Sequence, residues 1–566
     1  MAYISQPNGD VRRLWTFHGG LQLPDHKVIS NRQPITQATI PKQLILPLQQ
    51  HIGTPAQPLV KIGDLVLKGH QIAACKGAIS AAIHAPTSGR IAAISEHLLP
   101  HPSGLKGLCI KLVPDGHDTW TQLPEPILDY PMRSPSELRD RIQWAGIVGL
   151  GGATFPSNIK LSHDHNIPIE TLIINGVECE PYITCDDMLM RSQPERIIEG
   201  AKILMHILGA KRCLIAIEDN KPEAIAAIYS TVKELDIQDR QNTSDIEVVR
   251  IPTLYPSGGE RQLIKILTGK EVPTQGLPAH IGIVCHNVGT TAAIADAILC
   301  GRPLISRLVT VTGEGVKKPG NLEVLIGTLI ADVISEAHGY TPKAQRLILG
   351  GPMMGTALAT DAVPINKATN CLLVASIKEA PEPLHPQPCI RCGACTTVCP
   401  ANLLPQQLYW YSRARNLEQL KAYHLCACIE CGCCSHVCPA HIPLVQFYRA
   451  GKALIRDQNA EQSKAAKTRK RYEAHTERSK QRAEQRKAKL LQRQTALAQE
   501  LKTAGTNAAT NDNSPKAVIA AAMQRVAAQK QQKLTNQALQ TATIDKSNKS
   551  DKPYALDKPD EPNRSN

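Results

Sequence analysis

The feature that most constrains this chain is a cysteine pattern that occurs twice between residues 389 and 438. Each copy reads Cys-x2-Cys-x2-Cys-x3-Cys-Pro, and the eight cysteines are Cys389, Cys392, Cys395 and Cys399, then Cys428, Cys431, Cys434 and Cys438. Three thiolates spaced three residues apart in one tight loop can reach three irons of a cubane cluster, so the fourth iron needs a ligand from elsewhere in the chain. The pattern therefore predicts two 4Fe–4S clusters and a role in electron transfer.

The runs resemble those of bacterial two-cluster ferredoxins, in which the fourth cysteine of each run ligates the other cluster. This resemblance implies one cluster on Cys389, Cys392, Cys395 and Cys438, and a second on Cys428, Cys431, Cys434 and Cys399. Disulfides or zinc are the alternatives, but zinc sites commonly use Cys-x2-Cys pairs at wider separations. Cys426 and Cys433 lie among the ligands but off the pattern, and we interpret them as packing residues or as neighbours of the ligands.

The rest of the chain is long enough for several domains. Its 566 residues predict three to five of them. The remaining eight cysteines are scattered singly, which favours free thiols in a reducing compartment. Because the first residues lack the apolar core of a signal peptide and no apolar run approaches a membrane span, we expect a cytoplasmic chain that is soluble or peripheral.

The net charge of +14 is concentrated at the C-terminus. Residues 451–566 contain 24 Lys and Arg against 12 Asp and Glu, and so carry +12 of that charge. From about Asp457 to Lys502 the residues favour helix without a sustained apolar face, which predicts a solvated helix or a disordered extension. A functional alternative is contact with anionic lipid headgroups. The nearly neutral body argues against nucleic-acid binding.

Short alternating runs of Gly, Pro, Val and Ile from Pro41 to about Lys111 predict small strands and turns. The stretches Val60–Gly69 and Ile83–Ile91 resemble the two halves of a biotinyl/lipoyl-type barrel-sandwich domain. Carriers of that fold attach their cofactor to a lysine at the hairpin tip between the halves. Lys76 lacks the carrier motif, so we expect it to be an ordinary surface lysine and the domain to be structural.

A glycine-rich loop, Gly149 to Pro156, follows a polar helix-like segment. Gly149, Gly151 and Gly152 let backbone N–H groups approach a ligand closely and can form an anion-binding nest; an ordinary tight turn is the alternative. Farther on, the apolar strand Thr171–Ile174 is followed by Asn175, Glu178 and Glu180. Polar groups at the carboxyl end of a strand lie where open α/β sheets bind ligands.

Four motifs in one order resemble the NADH-binding flavoprotein subunit of respiratory complex I. They are the Gly149–Pro156 loop with Lys160 beyond it, the segment Asn175–Pro181, the segment Tyr255–Glu260, and the segment His286–Thr290. Residues from Arg302 to Thr328 resemble the β-grasp domain that follows the flavin domain in those subunits. The chain departs from the motifs at three positions, where complex I subunits carry Asp, Glu and Asn: Val177, Gly259 and His286. Each departure removes a polar partner expected to touch the flavin or the pyridine nucleotide.

The order of parts identifies the chain as a member of the RnfC (also called RsxC) family of the Rnf electron transport complex, over residues 17–439. The implied fold class is multidomain α/β and α+β. The expected parts are an N-terminal segment (1–40), a barrel-sandwich domain (41–115), an FMN/NADH-binding α/β domain (130–300), a β-grasp (SLBB-like) domain (301–375), a two-cluster ferredoxin-like helical module (380–450) and a helical or disordered basic tail (451–566).

The resemblance also implies cofactors, partners and site residues. A non-covalent FMN would convert the two-electron chemistry of NADH, the substrate, into the one-electron chemistry of the clusters. The implied FMN and NADH residues are Gly149, Gly151, Gly152, Phe155, Lys160, Asn175, Glu178, Glu180, Tyr255, Glu260, Asn287 and Thr290. The implied partners are membrane-embedded and peripheral subunits of the Rnf complex and ferredoxin, at the cytoplasmic side of the inner membrane.

We therefore expect the electron-input subunit of an ion-translocating NADH/ferredoxin oxidoreductase. The alternative is a non-catalytic ferredoxin-like relay that has kept the flavin-domain fold without binding flavin; Val177, Gly259 and His286 are the residues that favour it.

Overall fold

The computed structural model describes residues 2–7, 9–101, 104–162, 167–239, 245–274, 276–506 and 515–544. The described residues divide into two units, one up to Asn459 and one from Ala460 onwards. The end of the predicted basic tail, beyond residue 544, lies outside the described residues.

The chain begins with a hairpin and then enters two small packed sheets. The hairpin is β1 (Ala2–Ser5) and β2 (Val11–Leu14), and β3 (Thr36–Gln37) follows it. The next strands are β4 (Leu44–Pro47), β5 (Gln57–Pro58), β6 (Leu65–Val66), β7 (Gln71–Ala74), β8 (Ile83–His84), β9 (Gly89–Leu98) and β10 (Lys106–Pro114). One sheet has the order β4-β10-β9-β6 and the other β5-β7-β8. Lys76 lies exposed in the loop after β7.

A parallel four-stranded sheet forms the centre of the next region, in the order β13-β12-β11-β14. Its elements are α1 (Pro135–Trp144), α2 (Ser157–Lys160), β11 (Thr171–Gly176), α3 (Cys185–Ser192), α4 (Pro194–Leu208), β12 (Arg212–Glu218), α5 (Pro222–Asp239), β13 (Ile246–Ile251), α6 (Glu260–Thr268), β14 (Ile283–Asn287) and α7 (Val288–Leu299). The central strands are almost continuously apolar, as expected for a parallel sheet buried on both faces.

A six-stranded mixed sheet follows. Its new elements are β15 (Ser306–Thr312), β16 (Gly320–Leu325), α8 (Ile330–Glu336), β17 (Arg346–Leu349), β18 (Thr356–Leu358) and β19 (Cys371–Ala375). The strand order is β18-β17-β19-β15-β16-β3, so the N-terminal strand β3 completes its edge.

Short helices and loops carry the cysteine runs. The helices are α9 (Ala394–Thr397), α10 (Pro405–Arg413), α11 (Leu417–Ala422) and α12 (Cys433–His436), and the long helix α13 (Leu444–Thr506) begins after the second run. Single 3-10 turns occur at Lys27–Ile29, Tyr130–Met132, Pro278–Ile281 and Leu425–Ala427. Leu408, Leu420 and Tyr448 form a small apolar core beside the cysteines.

The second unit contains the end of α13 and the helix α14 (Pro515–Ile544). The composition predicted a solvated helix or a disordered extension; the described residues are helical, and their described side chains are almost all exposed. Within the described residues, no helix combines the length and the apolar character that crossing a bilayer requires.

Candidate functional site

A cavity of about 470 Å³ lies at the carboxyl ends of β11 and β14. Eleven of the twelve residues predicted to contact FMN or NADH line it: Gly149, Gly151, Phe155, Lys160, Asn175, Glu178, Glu180, Tyr255, Glu260, Asn287 and Thr290. The twelfth, Gly152, is exposed in the same loop and adopts a φ of 115°, which only glycine tolerates readily.

The glycine loop is held in shape by its own backbone and by α7. The Gly149 N–H donates to the Phe155 carbonyl at 2.8 Å, and the Thr154 N–H donates to the Gly149 carbonyl at 3.1 Å. The Leu150 N–H donates to the Thr290 hydroxyl at 2.8 Å. Thr290 is fully buried, so it supports the loop from below.

Three predicted site residues use their polar atoms to frame the cavity. The Asn175 amide donates to the Gly258 carbonyl at 2.9 Å, which ties β11 to the segment before α6. The Asn287 amide donates to Asp186 at 2.6 Å, while its oxygen caps α7. The Glu178 carboxylate accepts the Asp186 N–H at 2.7 Å and so caps α3.

Two buried lysines that the sequence analysis did not select fix the segment after β11. Lys27 is 3% exposed and donates to the carbonyls of Glu178 (2.8 Å), Glu180 (3.1 Å) and Ile183 (2.6 Å). Lys221 is fully buried and donates to the Val177 carbonyl at 2.7 Å. Burial lowers the pKa of Lys27, and the nearby Lys221 lowers it further. The two ammonium groups therefore hold a backbone turn that carries Glu178 and Glu180.

Glu180 and Tyr255 connect the cavity to neighbouring loops. The Glu180 carboxylate accepts the N–H groups of Met353 and Met354 at 2.8 and 2.9 Å. Burial raises the pKa of Glu180, and these donors oppose the shift. Tyr255 is 3% exposed, and its hydroxyl donates to the Cys431 carbonyl at 2.7 Å. Since Ile429 also lines the cavity, the second cysteine run forms part of the cavity wall.

Asp186, which also lines the cavity, was not predicted. Burial raises its pKa to about 7, and the neighbouring Glu178 carboxylate adds to the shift. Glu178, Cys185 and Asp186 have ligand atoms close enough to surround one metal ion. Both carboxylates already accept hydrogen bonds from backbone or amide donors, which favours a capping role over metal binding.

The donor set of the cavity fits a polar ligand such as FMN or a dinucleotide. Lys160 and Glu260 form an ion pair of 2.6 Å across it, and both side chains are about one-third exposed. Three buried polar atoms of the cavity lining have no partner among the described residues: Ser157 Oγ, Gln262 Oε1 and His286 Nε2. Burial lowers the pKa of His286, and Lys160 lowers it further, so the ring is neutral at pH 7. Buried polar atoms are normally paired, so these three call for a ligand or ordered water.

The eight cysteines of the two runs are brought together in two groups. Cys389, Cys392, Cys395 and Cys438 line one small cavity, and Cys399, Cys428, Cys431 and Cys434 line another. These groups coincide with the crossed sets that the ferredoxin resemblance implies, and the assignment of each cysteine to a cluster stays a prediction. Burial raises the pKa of Cys428 to about 11, so iron coordination would have to displace its proton.

The two runs also repeat each other in backbone geometry. The residue before the second cysteine is left-handed in both, with φ of 57° at Arg391 and 60° at Glu430. The residue after it is a left-handed glycine in both, with φ of 80° at Gly393 and 82° at Gly432. Such turns point successive backbone N–H groups towards the same side of the loop. One of these groups, the Glu430 N–H, donates to the Cys428 sulfur at 3.4 Å.

The off-pattern cysteines differ from each other. Cys433 is fully buried in a cluster with Tyr255 and Cys431, as expected of a packing residue. Cys426 is exposed, so of its two predicted roles packing does not fit, and the role of a neighbour of the ligands stays a prediction. Lys452, which was not predicted, donates to the Cys428 carbonyl at 2.6 Å.

The glycine loop, the polar cavity and the two groups of thiols are the features expected of a chain with a flavin-type domain and a cysteine-rich module. Comparison with family models agrees: residues 142–296 match the Nuo51 FMN-binding domain, residues 15–117 the RnfC barrel sandwich hybrid domain, and residues 308–357 the SLBB domain. The predicted multidomain fold class is thereby confirmed.

Curated relatives narrow the class to one family. Proteins named as the C subunit of the ion-translocating oxidoreductase complex are 49% identical over 475 residues in Pseudomonas aeruginosa (84% of this chain, 60% of that protein) and 47% identical over 515 residues in Edwardsiella ictaluri (91% and 61%). The Yersinia pestis protein of that name is 47% identical over 463 residues (82% and 73%). The chain belongs to this RnfC family of ion-translocating oxidoreductase complexes, as the motifs indicated. It spans about 60% of the length of the first two relatives.

Proposed function

We propose that this chain is the electron-input subunit of a membrane-bound oxidoreductase complex, which passes electrons between NADH, FMN and two 4Fe–4S clusters. The observation that carries the proposal is the shared wall between the cavity and the second cysteine run. Ile429 lines the cavity, and the Tyr255 hydroxyl holds the Cys431 carbonyl at 2.7 Å. A cofactor in the cavity would lie beside the Cys428, Cys431, Cys434 and Cys399 cluster.

Different residues of the cavity would bind the flavin, support the glycine loop and contact NADH. The loop Gly149–Gly152 and Lys160 would bind the flavin phosphate or ribityl chain through backbone N–H groups and one ammonium. Asn175, Asn287 and Thr290 would hold that loop and its surroundings in place. Phe155, Glu180 and Glu260 would contact NADH. Bound FMN would supply the conversion between hydride transfer and single-electron transfer.

The exposure of the cysteines supports one order of the two proposed clusters. Cys399, Cys431 and Cys434 are buried, whereas Cys392 is exposed and its neighbour Ile390 is 69% exposed. The cluster on Cys389, Cys392, Cys395 and Cys438 would therefore be the outlet towards a partner. The relatives are named as subunits of a complex, which supports the presence of such a partner.

Anaerobic purification with cluster reconstitution tests the flavin assignment. The expected result is bound FMN whose absorbance near the visible flavin band is bleached by NADH, followed by cluster reduction. Clusters without flavin, unresponsive to NADH, would refute the proposal and favour the relay.

The crossed cluster assignment needs its own experiment. Cys399→Ala and Cys431→Ala should each remove about four irons and leave the same remaining electron paramagnetic resonance signal. Cys438→Ala should instead remove the cluster on Cys389, Cys392 and Cys395 and leave the signal of the other cluster. Cys426→Ala is the matched control and should retain both clusters, because this cysteine is exposed and off the pattern. If Cys431→Ala and Cys438→Ala leave the same signal, and Cys399→Ala leaves the other one, the crossed assignment is wrong.

We also place the chain at the cytoplasmic face of the inner membrane, with ferredoxin and membrane subunits as partners. The exposed helix from residue 460 is rich in Lys and Arg, which supports contact with anionic headgroups. Binding to anionic but not neutral vesicles, lost in a chain ending at residue 459, is the expected result. Equal binding of both chains would contradict it.

A further inference from the structure

Gln262 joins the cavity to the cysteine module through its two amide atoms. It lies in α6 and is 5% exposed. Its amide nitrogen donates to the carbonyl of Pro400, the residue after Cys399, at 3.3 Å. A carbonyl only accepts hydrogen bonds, so the NH₂ group must face Pro400. The Oε1 atom is left without a partner among the described residues, in a side chain that lines the cavity.

Gly259 explains how this amide is accommodated. Its φ and ψ of −63° and 130° are open to any residue, so the backbone does not require glycine there. The available space does require glycine, because a Cβ at residue 259 would lie 2.4 Å from Gln262 Oε1. The Oε1 atom is the far end of a flexible side chain, so a larger residue at 259 would displace the amide rather than break the fold.

We propose that Gln262 is a nucleotide contact in this cavity, with Oε1 accepting a hydrogen bond from an N–H or O–H group of the bound nucleotide. This inference rests on the proposed function. In the motif that the chain resembles, a carboxylate stands at position 259; here the polar group comes from position 262, one helical turn farther on, and Gly259 makes room for it. The same amide reaches the Cys399–Pro400 turn, so one side chain contacts both the ligand and a cluster loop.

Two single variants and their combination test the inference in the reconstituted full-length chain. Gln262→Ala removes the amide, and Gly259→Ala displaces it without removing any hydrogen-bonding group. Each should weaken nucleotide binding about 2- to 10-fold, the effect of one hydrogen bond. The double variant should be no weaker than Gln262→Ala, because no Oε1 remains to collide with the added methyl. Gln345→Ala, at an exposed position, is the control and should bind normally.

Separate measurements identify the donor. FMN affinity is measured by fluorescence quenching and NADH affinity by equilibrium titration of the flavin-loaded protein. Weaker FMN binding assigns the donor to the flavin, and weaker NADH binding alone assigns it to the dinucleotide. Unchanged affinities in both single variants, or additive losses in the double variant, would overturn the inference. A wild-type chain that binds neither ligand would instead overturn the proposed function.

Discussion

Replacing Tyr255 with Phe isolates the link between the cavity and the second cysteine run. The substitution deletes one hydroxyl, which donates to the Cys431 carbonyl at 2.7 Å. That carbonyl would be left buried without its donor, at a cost of about 1–3 kcal/mol in local stability. Because the carbonyl belongs to a predicted cluster ligand, loss of the hydrogen bond should also change the reduction potential of that cluster.

The sign and size of the redox effect follow from charge. A donor beside a cluster stabilises the reduced, more negative state, so its loss should lower the reduction potential. About 1 kcal/mol of differential stabilisation corresponds to about 40 mV for one electron. The bond exists in both redox states, so only part of its ~1–3 kcal/mol enters this difference, and we take about 1 kcal/mol as that part.

Redox titration followed by electron paramagnetic resonance measures both clusters in one sample. We expect Tyr255→Phe to lower the reduction potential of the Cys428-run cluster by about 40 mV and to leave the potential of the Cys389-run cluster unchanged. Tyr340→Phe is the matched control, since that hydroxyl bonds Asp361 in the β-grasp domain. A shift confined to the Cys389-run cluster, or no shift despite a loss of stability, would refute the reasoning.

Other substitutions separate stability from binding. Lys27→Met should lower the free energy of unfolding by about 3–5 kcal/mol and release FMN, because three backbone carbonyls lose their donor. The control is Lys76→Met, at an exposed position, which should change neither the stability in denaturant nor the FMN content. Lys160→Met should change the free energy of unfolding by less than about 1 kcal/mol, because its ion pair with Glu260 is partly exposed, yet reduce FMN affinity. Burial lowers the pKa of His84 from 6.5 to about 3, so the unfolded chain binds the proton first and stability falls as pH drops from about 6.5 towards 3. His84→Phe should flatten that part of the stability–pH curve, measured by denaturant titration.

Features encoded in a few consecutive residues were predictable. The cysteine spacing indicated two runs of four thiols. The exchange of the fourth cysteine between the runs was implied by the resemblance to two-cluster ferredoxins, and the structure groups the cysteines in the same crossed way. The glycine loop and the polar residues after β11 were also expected to bind a ligand, since open α/β sheets bind ligands at the carboxyl ends of their strands. The residues after β14 were expected there only through the resemblance to the complex I flavoprotein. The spacing within each cysteine run and the glycine loop are local patterns, whereas the grouping of cysteines from different runs is not.

Contacts between distant segments were not predictable in the same way. Lys27 bonds the Ile183 carbonyl 156 residues away, and Gln262 bonds the Pro400 carbonyl 138 residues away. A buried lysine or glutamine looks like a surface residue in the sequence, because its partners are backbone carbonyls that no pattern marks. The motif that contains Thr290 likewise did not reveal that its hydroxyl would accept a hydrogen bond from the Leu150 N–H of the glycine loop.

The unpaired atoms of the cavity bear on the choice between an enzyme subunit and a flavin-free relay. Each buried polar atom without a partner costs about 1–3 kcal/mol, so Ser157, Gln262 and His286 together could cost about 3–9 kcal/mol, comparable with the whole stability of a domain. Ordered water can satisfy such atoms in an empty cavity. Gly259 and His286 favoured the relay as departures from the motif, but their surroundings point the other way. A relay that never bound flavin would be more stable with apolar residues at positions 157, 262 and 286, and without an amide at residue 262 nothing would require glycine at residue 259. The presence of all three polar groups in one cavity therefore favours a chain that binds a nucleotide there.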